Sequence, residues 1–146
     1  MLTVLGEMES ASKILDFLYL GSEWNSANKE ELEQNGITHV LNVTKEIDNF
    51  FPELFIYKNV LLYDLESSNL LAHWDSTFQF ILSAWESGGI VLVHCKMGIS
   101  RSSSTVIAFL MKYNNWSLER ALTFVRGNED KSDPNSKPLF STPSNN

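Results

Sequence analysis

The stretch that decides the fold is VHCKMGISRSSS, which runs from Val93 to Ser104. It follows directly on a short and wholly apolar run, residues 90–93, which is typical of a strand covered on both faces of a sheet. A tight polar loop comes next, and apolar residues recur with helical spacing from about Arg101 onward. This order predicts that Cys95 lies beyond the carboxyl end of a buried strand, where α/β sheets collect their ligands.

The loop between Cys95 and Arg101 has the features of a phosphate-binding loop. Gly98 allows the backbone to turn inward, so that successive N–H groups can converge on one anion. The helix that follows adds unpaired N–H groups and the positive end of its dipole. Arg101 carries a planar guanidinium whose parallel N–H groups suit two phosphate oxygens. We therefore expect a phosphate site at this loop.

The same groups favour the thiolate form of Cys95, because a helix N-terminus and N–H donors stabilise negative charge on sulfur. A thiolate beneath a bound phosphorus is a nucleophile, and its attack would form a phosphocysteine. The departing alcohol then needs a proton. Asp64 follows the predicted strand over residues 57–63 and would lie at the same edge of the sheet. From its position alone, Asp64 fits a turn residue as well as a general acid.

A less specific interpretation of Cys95 is that of an inert buried residue, since a lone cysteine usually behaves as a small hydrophobe. Four further residues of the segment argue against it: His94, Gly98, Ser100 and Ser102. Their presence between a strand and a helix makes a chance Cys–x5–Arg spacing implausible. The sequence offers no metal-ligand pattern, because the other histidines, His39 and His73, are isolated.

Composition narrows the function classes further. The chain has 146 residues, 43% of them apolar, which is enough for one compact domain. A net charge of −7 disfavours non-specific binding to nucleic acid or to anionic lipid. One cysteine excludes an internal disulfide framework and fits a reducing, cytoplasmic compartment. There is neither an apolar run of membrane-spanning length nor a signal-peptide pattern at the start.

The charge is unevenly distributed along the chain. Residues 1–75 hold thirteen acidic and four basic residues, whereas residues 76–146 hold five acidic and seven basic ones. An anion site is therefore favoured in the second half, which contains Cys95.

Apolar patterning and turn residues predict an α/β fold. The predicted strands cover residues 13–20, 38–43, 57–63 and 90–93, and the predicted helices cover 27–35, 71–87, 101–113 and a last segment capped by Ser117. We expect Asn25 to cap the first helix and Gly36 to end it in the left-handed conformation. The predicted organisation is an N-terminal extension over residues 1–12, one domain over 13–126 and a disordered, Pro-rich tail over 127–146.

HCKMGISRS matches the H-C-x-x-G-x-S-R-S signature of the dual-specificity protein tyrosine phosphatases. The wider resemblance is to the catalytic domain of the slingshot phosphatases, over roughly residues 13–126. It is carried by GSEWNSANKEEL (21–32), LNVTKEIDNFFP (41–52), YDLESSNLLAHWD (63–75) and the segment 93–112. The resemblance implies a cysteine-based phosphatase fold, in which helices flank a central mixed sheet of about five strands.

The same resemblance implies a function. Slingshot phosphatases remove phosphate from a serine near the N-terminus of cofilin and its relatives. We therefore expect a dual-specificity protein phosphatase acting on phosphoserine or phosphothreonine, with phosphotyrosine as a further candidate. The implied substrate is a cofilin-like actin-depolymerising protein, and the implied location is the cytoplasm, in association with the actin cytoskeleton. Actin-linked partners would bind through regions that this chain lacks.

Carried over residue by residue, the resemblance implies four catalytic roles. Cys95 is the nucleophile and Arg101 is the phosphate clamp. Asp64 matches the general acid, which later acts as a base on the hydrolytic water. Ser102 matches the hydroxyl that stabilises the thiolate as it leaves the phosphoenzyme.

The resemblance also implies supporting roles, without a metal or cofactor. The phosphate cradle is formed by the backbone N–H groups of Lys96, Met97, Gly98, Ile99 and Ser100. The ring of His94 helps to hold the loop and tune the cysteine, while Asn69 supports the acid loop.

The C-terminal segment departs from the family pattern. After Val125 the family continues with a Pro-Asn-x-x-Phe turn and a final amphipathic helix, whereas this chain reads RGNEDKSDPNSKPLFSTPSNN over 126–146. We interpret the chain as truncated or divergent there. The alternative function is accordingly a weak or inactive phosphate-binding module. A Cys–x5–Arg rhodanese or arsenate reductase fits poorly, because neither resembles this loop or gives Asp64 a role.

Overall fold

The structure is a computed structural model, and it describes residues 10–44, 47–60, 67–96 and 101–129. A mixed sheet is built from β1 (Ser12–Leu15), β2 (Leu18–Ser22), β3 (His39–Asn42), β4 (Ile56–Asn59) and β5 (Val91–Cys95). Its strand order is β1-β2-β5-β3-β4. β1 pairs with β2 in the antiparallel sense, and the other neighbouring pairs are parallel. The predicted α/β class with a five-stranded mixed sheet is therefore confirmed.

Five helices accompany this sheet in the described part of the chain. They are α1 (Glu23–Ser26), α2 (Lys29–Gln34), α3 (Ser67–Glu86), α4 (Arg101–Asn114) and α5 (Leu118–Glu129). Helix α4 contacts α3, α5 and β5, and α5 contacts β1. Within the described residues, none of these helices has the length and apolar character needed to cross a membrane.

The central strand β5 is buried on both faces. Val91, Val93 and Cys95 belong to the larger apolar core, to which α3, α4 and α5 contribute. Leu92 instead packs in a smaller cluster with Leu32 of α2 and its neighbours. Because alternate residues of a strand point to opposite faces, these two clusters lie on the two sides of the sheet. The wholly apolar run 90–93 therefore indicated a central strand correctly.

The single strand predicted over residues 13–20 is wrong, since the chain forms the hairpin β1–β2 instead. The turn lies at Asp16 and Phe17. Phe17 is buried there and places its ring 5.5 Å from that of Trp85 and 6.0 Å from that of Phe109. Both partners lie more than sixty residues further along the chain, so alternation within 13–20 could not reveal the reversal.

The single helix predicted over residues 27–35, with Asn25 as its cap, is also wrong. The segment forms α1 and α2, which have caps of their own. The side chain of Ser22 accepts a bond from the N–H of Trp24 at 3.2 Å. That of Asn28 accepts a bond from the N–H of Glu31 at 3.1 Å. Asn25 lies inside α1, where its side chain is buried.

The remaining boundaries differ from the predictions by a few residues. Gly36 has a φ of 73°, which confirms the left-handed end of the helix before it. Ser117 accepts a bond from the N–H of Arg120 at 3.2 Å and so caps α5 as predicted. Helix α5 runs to Glu129, three residues into the segment assigned to the tail. The proposed domain limits stay a prediction, because residues 1–9 and 130–146 lie outside the described residues.

Gly89, which precedes β5, leads to a stability prediction. A Cβ there would collide with the hydroxyl of Thr38 and approach the ring of His39 to 3.0 Å. That hydroxyl accepts a bond from the N–H of Ile90 at 3.0 Å and so joins the chain before β3 to the chain before β5. We expect Gly89→Ala to lower the free energy of unfolding by about 1–3 kcal/mol, measured by urea denaturation.

Gly127 supplies the control for this measurement. It lies in α5, and a Cβ there would meet nothing within 4 Å. Gly127→Ala should therefore raise the free energy of unfolding by up to about 1 kcal/mol, because alanine is the better helix former. A Gly89→Ala chain as stable as the parent would contradict the proposed collision.

Candidate active site

The candidate site lies at the carboxyl edge of the parallel strands. Cys95 is the last residue of β5, and helix α4 begins at Arg101. Ser22, at the end of β2, pairs in register with Cys95. Asn42, at the end of β3, pairs in register with His94. Because these strands are parallel, their carboxyl ends open onto one edge, and the loop that follows Cys95 starts there.

The thiol of Cys95 is paired with the hydroxyl of Ser102. Their Sγ and Oγ atoms are 3.0 Å apart, and both residues are buried. Sγ also lies 3.4 Å from the carbonyl oxygen of Lys96. When the sulfur is ionised, it can only accept hydrogen bonds, so the Ser102 hydroxyl is the donor. Ser102 is thus placed to stabilise a thiolate.

His94 lies within the sheet beside Cys95 and is fully buried. Burial lowers the pKa of His94 to about 4, and an interaction with the Cys95 backbone opposes this shift more weakly. The ring is therefore neutral at neutral pH and adds no positive charge beside the sulfur. The carbonyl of His94 accepts a bond from the N–H of Val43 at 3.1 Å, which ties the end of β5 to the chain beyond β3.

Arg101 is the first residue of α4 and is buried. Its carbonyl oxygen accepts a bond from the Thr105 hydroxyl at 3.0 Å. A guanidinium is a fixed positive charge, and its planar fork matches two oxygens of a phosphate. Helix α4 directs its positive end to the same place. The start of α4 therefore combines two sources of positive potential next to Cys95.

The structure brings together Cys95, Ser102 and His94. It places Arg101 at the start of α4, the helix that contains Ser102. Lys96 follows β5 and is exposed. Four residues of the predicted cradle, Met97, Gly98, Ile99 and Ser100, lie outside the described residues, as does the predicted acid, Asp64. Asn69 lies near the start of α3, and its side chain is also outside the described part. The roles of these residues stay predictions.

Sequence reasoning missed Asn42, which is fully buried at the end of β3. Its Nδ2 donates to the carbonyl of Ile47 at 2.7 Å and to Oδ1 of Asn49 at 2.9 Å. Its Oδ1 accepts from both the N–H and the hydroxyl of Thr44. These bonds hold the loop after β3 against the edge of the sheet that bears the site. An asparagine inside an apolar strand was the signal that could have identified it.

A second missed group holds α1 beside the site. The Oδ1 atom of Asn25 accepts from the N–H of Ser22 at 2.8 Å. Its Nδ2 donates to Glu31 at 3.1 Å, and the other carboxylate oxygen of Glu31 accepts from the N–H of Ala11 at 2.7 Å. Gly21 leaves no room for a Cβ, which would lie 2.7 Å from Oδ1 of Asn25. The chain directly after β2 is therefore held tightly to the sheet.

The geometry supports nucleophilic chemistry on an anionic ester. The buried thiol of Cys95 lies 3.0 Å from the hydroxyl of Ser102, at the start of the 14-residue helix α4. Arg101 is the first residue of the same helix. Among the described residues, no group of three or more histidine, cysteine or acidic side chains could hold a metal ion. What the described residues offer is a sulfur nucleophile with donors for negative charge.

Solved structures share this architecture. Human DUSP28 superposes with a TM-score of 0.76 at 29% identity, covering 86% of this chain and 84% of that chain. DUSP15 gives a TM-score of 0.76 at 25% identity, with 82% and 76% covered. A human tyrosine phosphatase-like serine/threonine/tyrosine-interacting protein gives 0.73 at 28% identity, with 92% and 91% covered. The predicted cysteine-based phosphatase fold is thereby confirmed.

Sequence comparison is more specific. Protein phosphatase Slingshot of Drosophila melanogaster is 53% identical over 135 residues, which are 92% of this chain and 13% of that protein. Human Slingshot homolog 1 gives the same values. Human Slingshot homolog 3 is 55% identical over 126 residues, 86% of this chain and 19% of that protein. The chain therefore spans less than a fifth of the length of these relatives.

The family model for the catalytic domain of dual specificity phosphatases matches residues 18–141, which include the strand, loop and helix around Cys95. This match covers most of the chain. The similarity of the chain to the slingshot phosphatases also extends well beyond the nine-residue signature. By this match and by its fold, the chain belongs to the dual specificity phosphatases as a catalytic domain of that family.

Proposed function

We propose that this chain hydrolyses phosphoserine and phosphothreonine in a protein substrate, with phosphotyrosine as a further candidate, through a phosphocysteine on Cys95. The observation that carries the proposal is the buried Cys95 thiol, 3.0 Å from the Ser102 hydroxyl at the start of α4. An inert structural cysteine has no need of a hydroxyl donor 3.0 Å from its sulfur, at the start of a helix that begins with an arginine.

In the first step, the phosphate of the substrate binds between Arg101 and the backbone N–H groups of residues 96–100. The Cys95 thiolate attacks phosphorus, so that an S–P bond forms and the P–O bond to the substrate oxygen breaks. Asp64 gives its proton to the departing oxygen, which leaves as an alcohol. Throughout this step, the guanidinium of Arg101 and the positive end of α4 stabilise the negative charge on the phosphoryl oxygens.

In the second step, water attacks the phosphocysteine. Asp64, now a carboxylate, takes a proton from this water, while the S–P bond breaks and its electron pair returns to sulfur. Inorganic phosphate is released. The Ser102 hydroxyl, 3.0 Å from Sγ, donates to the thiolate that leaves, and so favours this step. The ring of His94 is buried and neutral at neutral pH, so it adds no charge beside the sulfur.

The proposed substrate is a cofilin-like actin-depolymerising protein in the cytoplasm, in association with the actin cytoskeleton. Support comes from 53% identity to Slingshot phosphatases over 92% of this chain. Actin-linked partners would bind outside the matched segment, which is 13% of the Drosophila relative. The alternative, an inactive phosphate-binding module, is less consistent with a nucleophile that retains its hydroxyl partner.

The test is a comparison of kcat/KM for phosphocofilin and for a panel of phosphotyrosine peptides, using the whole chain. We expect phosphocofilin to be preferred by at least about tenfold, because contacts away from the phosphate add to transition-state binding. A short phosphoserine peptide copied from the cofilin N-terminus is the control for contacts beyond the reacting group. A preference for the phosphotyrosine peptides would overturn the substrate assignment.

A further inference from the structure

We propose that Trp24 is a specificity-determining residue, which contacts the substrate polypeptide next to the phosphorylated residue and binds a basic side chain there. This inference rests on the proposed function, because it assigns a role to a residue that the phosphoryl-transfer steps do not use. Trp24 lies in the short helix α1, and 45% of its surface is exposed.

The sheet places Trp24 near the nucleophile. Ser22 and Cys95 are register partners in the parallel pair β2–β5, and α1 begins directly after Ser22. With neighbouring strands about 4.8 Å apart and two residues spanning at most about 7 Å, the Cα atoms of Trp24 and Cys95 are within about 12 Å. An extended polypeptide advances about 3.3 Å per residue. Trp24 can therefore meet a side chain within about four residues of the phosphorylated one.

The support beneath Trp24 is rigid. The next residue, Asn25, is buried, and its amide joins the N–H of Ser22 to the carboxylate of Glu31. Glu31 in turn accepts a bond from the N–H of Ala11 at 2.7 Å. An exposed aromatic ring on a backbone held in this way loses little conformational freedom on binding. This is the property expected of a binding contact.

Among the described residues, the burial pattern gives no packing reason for a tryptophan at this position. α1 buries Asn25 and Ser26, whereas the ring of Trp24 belongs to neither apolar core cluster. Exposing a large ring carries a cost in apolar surface, and tryptophan is enriched where such a ring contacts a partner. Trp24 is thus placed as a contact residue at the catalytic edge of the sheet.

The surroundings of Trp24 favour a basic group. Trp24 and the exposed Glu30 line one groove over α1 and α2. Lys29, which lines the same groove, has its ammonium 3.7 Å from the carboxylate of Glu33. The face of an indole attracts cations, and a nearby carboxylate strengthens that preference. A lysine or arginine of the substrate therefore fits this groove better than an acidic residue does.

The experiment measures binding with Cys95→Ser protein, so that no turnover intervenes. The experiment compares two phosphoserine peptides that differ at a single position, where one has lysine and the other has glutamine. This position is three residues before the phosphoserine in one pair of peptides and three residues after it in a second pair. We expect Trp24→Ala to weaken binding of the lysine peptide by about fivefold to thirtyfold and to leave the glutamine peptide nearly unchanged. Trp24→Phe should restore part of the preference.

Ile56 provides the matched control, because it is an exposed apolar residue at the first position of β4, the opposite edge of the sheet. Ile56→Ala should leave both peptide affinities unchanged. Equal weakening of the two peptides by Trp24→Ala, or no weakening of either, would overturn the inference. Turnover of para-nitrophenyl phosphate by the chain with Cys95 intact tests the proposed function separately, and Trp24→Ala should not change it.

Discussion

Cys95→Ser is expected to abolish hydrolysis of para-nitrophenyl phosphate, with kcat falling by more than about 10⁴-fold. A serine hydroxyl at the end of β5 would keep its proton under conditions that favour a thiolate, and a protonated hydroxyl is a poor nucleophile. Serine at position 95 should therefore not form a covalent bond to phosphorus at a useful rate. The rate is measured from the absorbance of the nitrophenolate that is released.

The same variant should keep its affinity for a phosphopeptide, because Arg101 and the backbone donors remain. The comparison with the parent uses a non-hydrolysable phosphonate analogue of the peptide. A dissociation constant within about threefold of the parent's, measured by calorimetry, separates loss of the nucleophile from loss of the site. Turnover that survives the substitution would eliminate Cys95 as the nucleophile. If the parent chain binds the phosphopeptide but hydrolyses neither that peptide nor para-nitrophenyl phosphate, the result would favour the phosphate-binding module instead.

The architecture around Cys95 could be predicted from sequence because its signals are local. The apolar run before it has no polar face, which only a central strand requires, and β5 is buried throughout. The helix predicted to begin near Arg101 begins there, because its apolar residues recur at helical spacing. Strand and helix together place Cys95 at the carboxyl edge of the sheet.

The hairpin at Asp16 and Phe17 could not be predicted in the same way. Residues 13–20 alternate as one strand would, and the reversal is explained by contacts of the Phe17 ring with Trp85, Phe109 and Tyr113. The separation of α1 from α2 was missed because Asn25 lies inside α1 and not before a helix. Its Oδ1 accepts from the N–H of Ser22 in a capping box, and its Nδ2 donates to Glu31. The hairpin error arises because distant side chains decide the local backbone, whereas the helix error arises because Ser22 and Asn28 each cap a helix of their own.

Within the site, the sequence identified residue types better than it identified their contacts. The pairing of Cys95 with Ser102 was implied only by family resemblance, because a spacing of seven residues across a loop does not fix a distance. Asn42 was overlooked because its amide acts through the loop after β3, at Ile47 and Asn49, rather than on a ligand. Positioning residues of this kind become visible only when the hydrogen bonds are known.

Asp64→Ala is expected to lower kcat for a phosphoserine peptide by about 10²–10⁴-fold, the usual contribution of a general acid. The alkoxide of serine is a poor leaving group and needs the proton that Asp64 would supply. Nitrophenolate leaves without one, so kcat for para-nitrophenyl phosphate should fall much less. Steady-state rates for the two substrates provide the comparison. Glu66→Ala, which removes a carboxylate two residues further on, should leave both rates near those of the parent. Equal losses on the two substrates would assign Asp64 to the structure of its turn, because a role in the fold cannot distinguish one leaving group from another.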